Sequence, residues 1–252
     1  MILTIITVSY NSEKYISKCL SSTQKICLAF PDIEHIVYDG NSNDRTVEIC
    51  NSFSHVKLFK SEVRDLGAYD AMNKAVKLAK GNYIIYLNSD DFLSKNIDFS
   101  QIYPLLKEGK FKWITGFLNF VDDKENIIRQ DVLKKNISLT RFLISNIVRH
   151  PATFVLRDYQ ILNPFDLNFK YAADFKFFLN LWSISGHKPK VIPMIISNFR
   201  VWDNSLSSNF ISSLTDELNV KREFFFNTRA NFVIKLIHEI IYQLRLLKLK
   251  FR

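Results

Sequence analysis

One pattern constrains this chain more than any other. Over its first hundred residues, apolar runs of strand length alternate with stretches of helical spacing. Residues 2–9 form a continuous apolar, β-branched run, as expected for a strand covered on both faces. Asn11 and Ser12 supply turn and cap chemistry, and residues 13–28 have helical spacing, with Tyr15, Ile16, Cys19, Leu20 and Thr23 near one face. A strand at 35–38, a polar loop at 39–44, a helix at 46–53 and a third strand at 56–59 follow. The clearest helix is expected over 67–80, where Tyr69, Met72, Val76 and Ala79 form one stripe and Gly81 reads as the stop. Residues 83–87 make a fourth strand that ends in Asn88-Ser89-Asp90-Asp91. This rhythm specifies an α/β fold with a parallel sheet and helices on both faces. Ligands of such sheets bind beyond the carboxyl ends of the strands. Four polar loops fall at that edge, at 9–11, 39–44, 62–67 and 88–91.

Beyond residue 100 the rhythm weakens. Strand patterns recur at Trp113–Val121 and, after His150-Pro151, at Thr153–Leu156. Residues 172–182 are helical, with Phe175, Phe178, Leu179 and Trp182 on one side, and 190–201 read as a final strand pair. No repeat or low-complexity linker intervenes, so residues 1–205 read as one domain. Residues 206–252 carry two amphipathic helical patterns. The second gathers Val233, Leu236, Ile237, Ile240, Ile241, Leu244, Leu247 and Phe251 on one face, with Arg245, Lys248, Lys250 and Arg252 at its end. Such a helix either closes the core or lies on an anionic membrane surface.

The net charge of +9 is unevenly placed. Residues 1–100 hold 11 Lys/Arg against 12 Asp/Glu, and residues 101–252 hold 23 against 13. The C-terminal portion therefore favours anionic partners: lipid headgroups, phosphates or nucleic acid. No RNA- or DNA-binding motif accompanies the charge, so nucleic acid is not an expected partner. The 22 phenylalanines read as a compositional habit plus some exposed aromatic surface. Cys19, Cys27 and Cys50 form no C-x-x-C pair, which points to free thiols in a reducing compartment and against structural zinc. The N-terminal run lacks a basic leader, and no apolar run reaches 18 residues, so neither a signal peptide nor a membrane span is expected. The absence of G-x-G-x-x-G, of a Walker lysine loop and of G-x-S-x-G counts against dinucleotide oxidoreductases, P-loop enzymes and α/β-hydrolases.

Several carboxylates could carry chemistry. Asp90-Asp91 closes a strand where hard oxygen ligands would suit Mg²⁺ or Mn²⁺ beside a diphosphate. Taken alone, such a pair is more often a turn with a helix cap. Asp44 is better placed than Asp39 to cap the helix at 46–53, which frees Asp39 for a ligand. Asp70 lies in a first helical turn, where dipole compensation suffices to explain it. Arg64 could reach a phosphate or be merely solvated. Asp174 opens an aromatic-rich helix; an apolar wall could raise its pKa towards that of a general base, or it is simply a first-turn Asp. His150 is either a buried, hydrogen-bonded histidine or a catalytic one.

Together these segments resemble family 2 glycosyltransferases of the GT-A fold. The resemblance runs through Thr7-Val8-Ser9-Tyr10-Asn11, then residues 39–46 with Asp39-Gly40, then Gly67-Ala68-Tyr69-Asp70-Ala71-Met72-Asn73-Lys74-Ala75, then Leu87-Asn88-Ser89-Asp90-Asp91. His150-Pro151-Ala152-Thr153-Phe154 and Ala172-Ala173-Asp174-Phe175 extend it to about residue 200. It implies a Rossmann-like, mostly parallel sheet with a nucleotide-binding half (1–100) and an acceptor-side half (101–205). It also implies inverting transfer of a sugar from a nucleotide diphosphate, in the first place a UDP-sugar, to a hydroxyl of a glycan or a polyprenyl- or lipid-linked acceptor in exopolysaccharide, lipopolysaccharide or capsule synthesis. Val8, Ser9, Tyr10, Asn11, Asp39, Arg64, Asp70, Asn73 and Asp90 would bind the donor, and Asp91 a divalent cation, Mn²⁺ or Mg²⁺. Asp174 would be the general base, with His150 beside it. Such an enzyme would be cytoplasmic, at the inner face of the cell membrane. One departure stands out: many relatives have two consecutive acids in the base-binding loop, and here the second is Gly40. If the second acid makes the base contact, Asp39 must substitute for it. A non-catalytic nucleotide-sugar-binding partner is the alternative functional class.

Overall fold

The computed structural model describes residues 1–133, 137–144, 147–183, 185–202, 209–227 and 232–250. Its first half follows the alternation of the sequence: β1 (Leu3–Ser9), α1 (Ile16–Ala29), β2 (Ile33–Asp39), α2 (Thr46–Asn51), β3 (Val56–Lys60), α3 (Ala68–Ala75) and β4 (Tyr83–Tyr86). β2 is buried along its whole length and β1 everywhere except Val8, as a strand covered on both faces must be. Strands β3, β2, β1 and β4 lie side by side and parallel. Their register sets Ser9 beside Asp39 and Asp39 beside Lys60, so the polar loops share one edge.

The second half changes direction. β5 (Phe92–Leu93), α4 (Phe99–Glu108), β6 (Trp113–Val121), β7 (Ile127–Asp131), α5 (Leu139–Ile144), β8 (Thr153–Leu156), α6 (Arg157–Leu162), α7 (Ala173–Ser183) and β9 (Lys190–Arg200) follow. The sheet continues from β4 through antiparallel β8 to β6, which pairs in parallel with β9. The expected strand pair at 190–201 is one continuous strand. Its register against β6 shifts around Gly116, where an added Cβ would meet Ile196 Cγ1 at 2.4 Å and Met194 O at 2.7 Å. The chain therefore bulges past Gly116 instead of turning back. At its far end β9 pairs antiparallel with β5, the two residues directly after Asp90-Asp91. α4 is a helix that the periodicity does not announce, because Pro104 interrupts it. Its ends are nonetheless well signalled: Asp98 Oδ1 accepts from Ser100 N, and Gly109 takes a left-handed φ of 67°.

Most of the phenylalanines are core. Phe142, Phe154, Phe175, Phe177 and Phe178 are buried, and Trp113 stacks on Phe178 with ring centroids 5.2 Å apart. The cysteines are free, with Cys19 and Cys50 buried. α8 (Phe210–Asn227) is tied to the domain where Asp216 Oδ2 accepts from Tyr171 N and Lys176 bridges Glu223. α9 (Phe232–Lys250) meets α8 through Arg222 with Glu239, Tyr242 with Thr215, Arg245 with Glu217, and the rings of His238 and Phe225. Leu236, Ile237, Ile240, Leu244 and Leu247 consequently remain 47–55% exposed. Phe251, Arg252 and the side chains of Val233, Lys248 and Lys250 lie outside the described residues. No helix among the described residues is long and apolar enough to cross a membrane.

Gly81 does not end α3, as its position in the sequence suggests. The helix tightens to a 3₁₀ turn at Val76–Leu78 and the chain is already extended at Ala79. Gly81 is required instead by a close approach: an added Cβ would lie 2.4 Å from Thr4 N and 2.5 Å from the Leu3 carbonyl carbon. Both neighbours are backbone of the central strand and cannot yield. Gly81→Ala should cost about 1–3 kcal/mol, a melting-temperature loss of roughly 3–10 °C in a scanning fluorimetry or calorimetry experiment.

Candidate active site

The site forms where β4 runs out. Asp91 is 1% exposed, with Oδ1 accepting from Arg200 N at 2.9 Å and Oδ2 accepting from Asn88 Nδ2 at 2.9 Å. Asp90 accepts at Oδ2 from Trp202 Nε1 at 2.9 Å, and its carbonyl accepts from Arg200 Nε at 3.1 Å. Burial pushes the Asp91 carboxyl well above the usual carboxylate range, and the charge of Asp90 adds to it. Burial raises Asp90 as well, against the opposing hydrogen bond from Trp202. Two adjacent carboxyls, one buried and one half-buried, call for positive charge. Arg200 supplies part of it from the end of β9, 3% exposed and packed over the rings of Tyr15 and Phe92. Among the described residues, no group of three or more His, Cys, Asp or Glu side chains forms a ready-made metal cage. One or two carboxylates completed by phosphate oxygens and water is the usual protein share of a Mg²⁺-type site, so the pair fits a divalent cation that arrives with a diphosphate.

A second cluster adjoins the first. Asp174, at the start of α7, is 8% exposed. Its Oδ1 accepts from Tyr69 Oη and from Phe175 N, both at 2.9 Å, and its Oδ2 lies 3.0 Å from His150 Nδ1. The other ring nitrogen, Nε2, lies 3.3 Å from Asn88 Oδ1. Asn88 therefore joins the two acids, and the chain of contacts runs Tyr69–Asp174–His150–Asn88–Asp91. The apolar wall does not raise Asp174 as the sequence suggests. Burial does push its carboxyl upward, but the hydrogen bond and charge of His150 and the hydroxyl of Tyr69 outweigh it and hold Asp174 below its ordinary value. Tyr69, for its part, is pushed well above its ordinary pKa by burial and by the charge of Asp174, and stays a neutral donor.

Comparisons with known proteins bear on the family and the fold. The model of glycosyl transferase family 2 matches residues 4–164. The chain belongs to that family. It is 29% identical over 242 residues to the UDP-Glc:alpha-D-GlcNAc-diphosphoundecaprenol beta-1,3-glucosyltransferase WfgD of Escherichia coli, covering 95% of this chain and 93% of the relative. It is 27% identical over 220 residues to a dolichyl N-acetyl-alpha-D-glucosaminyl phosphate 3-beta-D-2,3-diacetamido-2,3-dideoxy-beta-D-glucuronosyltransferase of Methanococcus voltae, covering 78% and 66%. Among solved structures it is similar to S. aureus TarS 1-349 in complex with UDP-GlcNAc, with a TM-score of 0.70 at 20% identity, covering 96% of this chain and 70% of the other. The mannosyltransferase PcManGT of Pyrobaculum calidifontis, in complex with GDP-Man and Mn²⁺, gives 0.66 at 16%, covering 95% and 69%. The chain spans 65% of the length of the UDP complex of TarS. The fold is thus the expected GT-A fold, and the chain is a glycosyltransferase.

The other residues singled out in this family 2 chain divide by position. Val8, half-buried, packs on the main core, and Ser9 donates its hydroxyl to Asp39 Oδ1 at 3.1 Å. Asn11 takes a positive φ of 48° and accepts at Oδ1 from Asn43 N, which pins the first loop to the second. Tyr10 is exposed, with the Arg64 guanidinium 4.4 Å from its ring centroid. Asp39 is not free for a ligand: it is fully buried and accepts from Ser9 Oγ, Ser42 N and Ser42 Oγ. Asp44 does act as a cap, its Oδ1 accepting from Thr46 N. Asp70 receives Leu66 N and Lys74 Nζ, so it shapes the loop before α3. Asn73 is engaged within the protein; its amide exchanges two hydrogen bonds of 2.8 Å with the backbone of Phe165. The sequence reading passes over Asn88, Arg200 and Trp202. Arg200 and Trp202 lie about 110 residues from the acids they hold, and only the pairing of β9 with β5 brings them there.

The depressed Asp174 pKa fixes a sign for stability. A carboxylate lowered in the folded state stabilises above its unfolded pKa of about 3.9, and that contribution vanishes as pH falls through the folded value. Asp174→Asn should therefore melt below the wild type at pH 6–7, and the gap should close below about pH 4 when melting is followed across pH.

Proposed function

We infer that this glycosyltransferase moves a sugar from a nucleotide-diphosphate donor, a UDP-sugar foremost, to a hydroxyl of a lipid-linked or glycan acceptor in the synthesis of a cell-surface polysaccharide. The observation that carries this reading is the unbroken line of contacts from Tyr69 through Asp174, His150 and Asn88 to Asp91 at the carboxyl edge of the sheet. It sets a candidate proton acceptor beside a candidate diphosphate site, which is what a one-step transfer needs. The relatives support the donor and acceptor classes, one being named for UDP-Glc and diphosphoundecaprenol and another for a dolichyl N-acetyl-glucosaminyl phosphate.

In this reading the reaction is a single in-line displacement with inversion at the anomeric carbon. Asp174 takes the proton of the attacking hydroxyl. Tyr69 and His150 hold its two oxygens in place and keep it ionised, so it works by position more than by basic strength. Asp91 and Asp90 would hold a divalent cation, Mn²⁺ or Mg²⁺, which when bound supplies charge neutralisation for the departing diphosphate. Asp90 also faces the donor sugar or ribose, and Trp202, donating to its Oδ2, orients it. Arg200 fixes Asp91 through its backbone N–H and braces Asp90 through its guanidinium.

The expected kinetic signature is specific. Asp174→Asn should lower kcat by roughly 10²–10⁴ while nucleotide binding, read by calorimetry with Mn²⁺, is retained. Full turnover in that variant would remove Asp174 from the base role.

The exposed apolar row of α9 supports contact with an anionic membrane, where a lipid-linked acceptor resides. Leu236, Ile240 and Leu244 leave the aqueous face of α9 apolar, while its polar side is occupied by α8. Wild-type protein should sediment with vesicles containing anionic lipid, and a variant with Ile240→Glu and Leu244→Glu should stay in the supernatant while its melting temperature is unchanged within about 2 °C. Equal sedimentation of both would exclude this role for α9.

A further inference from the structure

We propose that Arg129 and Arg149 form an anion site for the acceptor, and that it holds the diphosphate through which the acceptor glycan is joined to its lipid. The proposal rests on the reading above, since it needs an acceptor hydroxyl at Asp174, and it concerns the acceptor's phosphates and not the donor's.

Positive charge gathers in one stretch of the second half. Residues 129–149 hold five Lys/Arg, at 129, 134, 135, 141 and 149, against one acid, Asp131. Two of these cations come together in the fold. Arg129 Nε lies 3.0 Å from Asp131 Oδ1, and Arg149 Nε and Nη2 each donate to Asp131 Oδ2 at 3.3 Å. Both guanidiniums also lie against the ring of Phe120, that of Arg129 at 3.8 Å from its centroid and that of Arg149 at 5.7 Å. Among the described residues, Asp131 is the one carboxylate that meets either guanidinium. One positive charge is therefore left over, and each guanidinium keeps N–H groups for a further acceptor. Arg149 is half-buried and Arg129 exposed, so the pair is open to a ligand from solvent. Two guanidiniums held against one aromatic ring match the oxygens of a phosphate group by charge and by geometry.

The register sets this pair beside the candidate base. Arg129 stands opposite Phe120 and Asp131 opposite Leu118 in the β6–β7 ladder, while Phe120 and Leu118 stand opposite Phe199 and Ser197 in the β6–β9 ladder. These side chains share one face of the sheet. On that face Ser197 Oγ donates to Pro151 O at 2.5 Å, so the segment that carries His150 lies against it. Arg149 directly precedes His150, whose Nδ1 is 3.0 Å from Asp174 Oδ2. In a sugar joined to a diphosphate, the attacking hydroxyl and the first phosphate are separated by the sugar ring. The acceptor's phosphates must accordingly lie near the base without touching it.

On its other side the pair leads to the exposed helix. Ile144 O, at the end of α5 and five residues before Arg149, accepts from Lys221 Nζ of α8 at 3.4 Å and from Arg245 Nη2 of α9 at 2.8 Å. Arg245 adjoins Leu244 of the exposed apolar row. Along this stretch the order is His150, the arginine pair and α9, which matches the order of sugar, diphosphate and lipid in such an acceptor.

The test is calorimetric titration of the full chain with Mn²⁺ and saturating UDP (GDP where UDP does not bind), so that the donor side is occupied. The probes are octyl N-acetylglucosaminyl diphosphate and octyl N-acetylglucosaminide, which carry the sugar named in two of the relatives. The wild type should bind the diphosphate at least about tenfold tighter than the neutral glycoside, the range expected for hydrogen bonds to a charged group. With Arg129→Gln and Arg149→Gln together, the gap should shrink to about threefold or less while nucleotide affinity is unchanged. Arg129→Gln alone, at an exposed position, should reduce the gap by about threefold or more, so it decides the matter if the double variant does not fold. Sedimentation with vesicles of phosphatidylcholine and phosphatidylglycerol separates acceptor phosphates from lipid headgroups, and the double variant should sediment as the wild type does. A wild type without preference for the diphosphate, a variant that keeps the full preference, or a variant that loses vesicle binding overturns the assignment of the arginines and leaves the transferase reading standing. A wild type that binds neither UDP nor GDP overturns both.

Discussion

Two neighbouring carboxyls, Asp91 buried and Asp90 half-buried, need positive charge and hydrogen-bond donors, and much of this molecule serves that need. Asp90 and Asp91 lie at the end of a buried strand, where burial opposes their ionisation. The answer comes from the far end of the chain. β9 runs beside β6, passes the gap made by Gly116, pairs with β5 and delivers Arg200 and Trp202 to the two acids. The second half of the domain thus completes a site whose acids belong to the first.

The same logic separates the carboxylates by role. Asp39, Asp44 and Asp70 accept from backbone and side-chain donors of their own and neighbouring segments and hold the edge in shape. Asp174 is held too, but by Tyr69 and His150, which tie it to Asn88 and Asp91. Asp65 differs from all of these, with one oxygen on Lys74 and one without a hydrogen-bond partner among the described residues. Residue type alone cannot sort these acids, since each is an Asp in or beside a polar loop; their partners sort them.

The helical tail shows a related division. α8 is bound to the domain by Asp216, Lys176 and Glu223, whereas α9 is bound to α8 by ion pairs, a hydroxyl contact and the Phe225–His238 ring pair, and leaves Leu236, Ile237, Ile240, Leu244 and Leu247 exposed. A helix that closed a core would do the reverse. The apolar row was visible in the spacing, but which side of it faced the protein was not.

By itself the sequence determined the parallel half of the sheet, the edge at which the polar loops gather, the order of the motifs and the family, because local periodicity and turn chemistry act within a few residues. It also marked Asp90, Asp91, His150 and Asp174. Tertiary structure decided the rest. Arg200 and Trp202 reach the acids through pairing of strands some 105 residues apart in the chain, at Phe92 and Asn198. The depressed pKa of Asp174 comes from His150 and Tyr69, on other elements. Asp65 stands over Gly40 because two loops meet at one edge, a fact of register between strands and not of spacing along the chain. Gly81 looked like a helix stop and is a contact with Thr4, because close approach of distant backbones leaves no mark on local pattern.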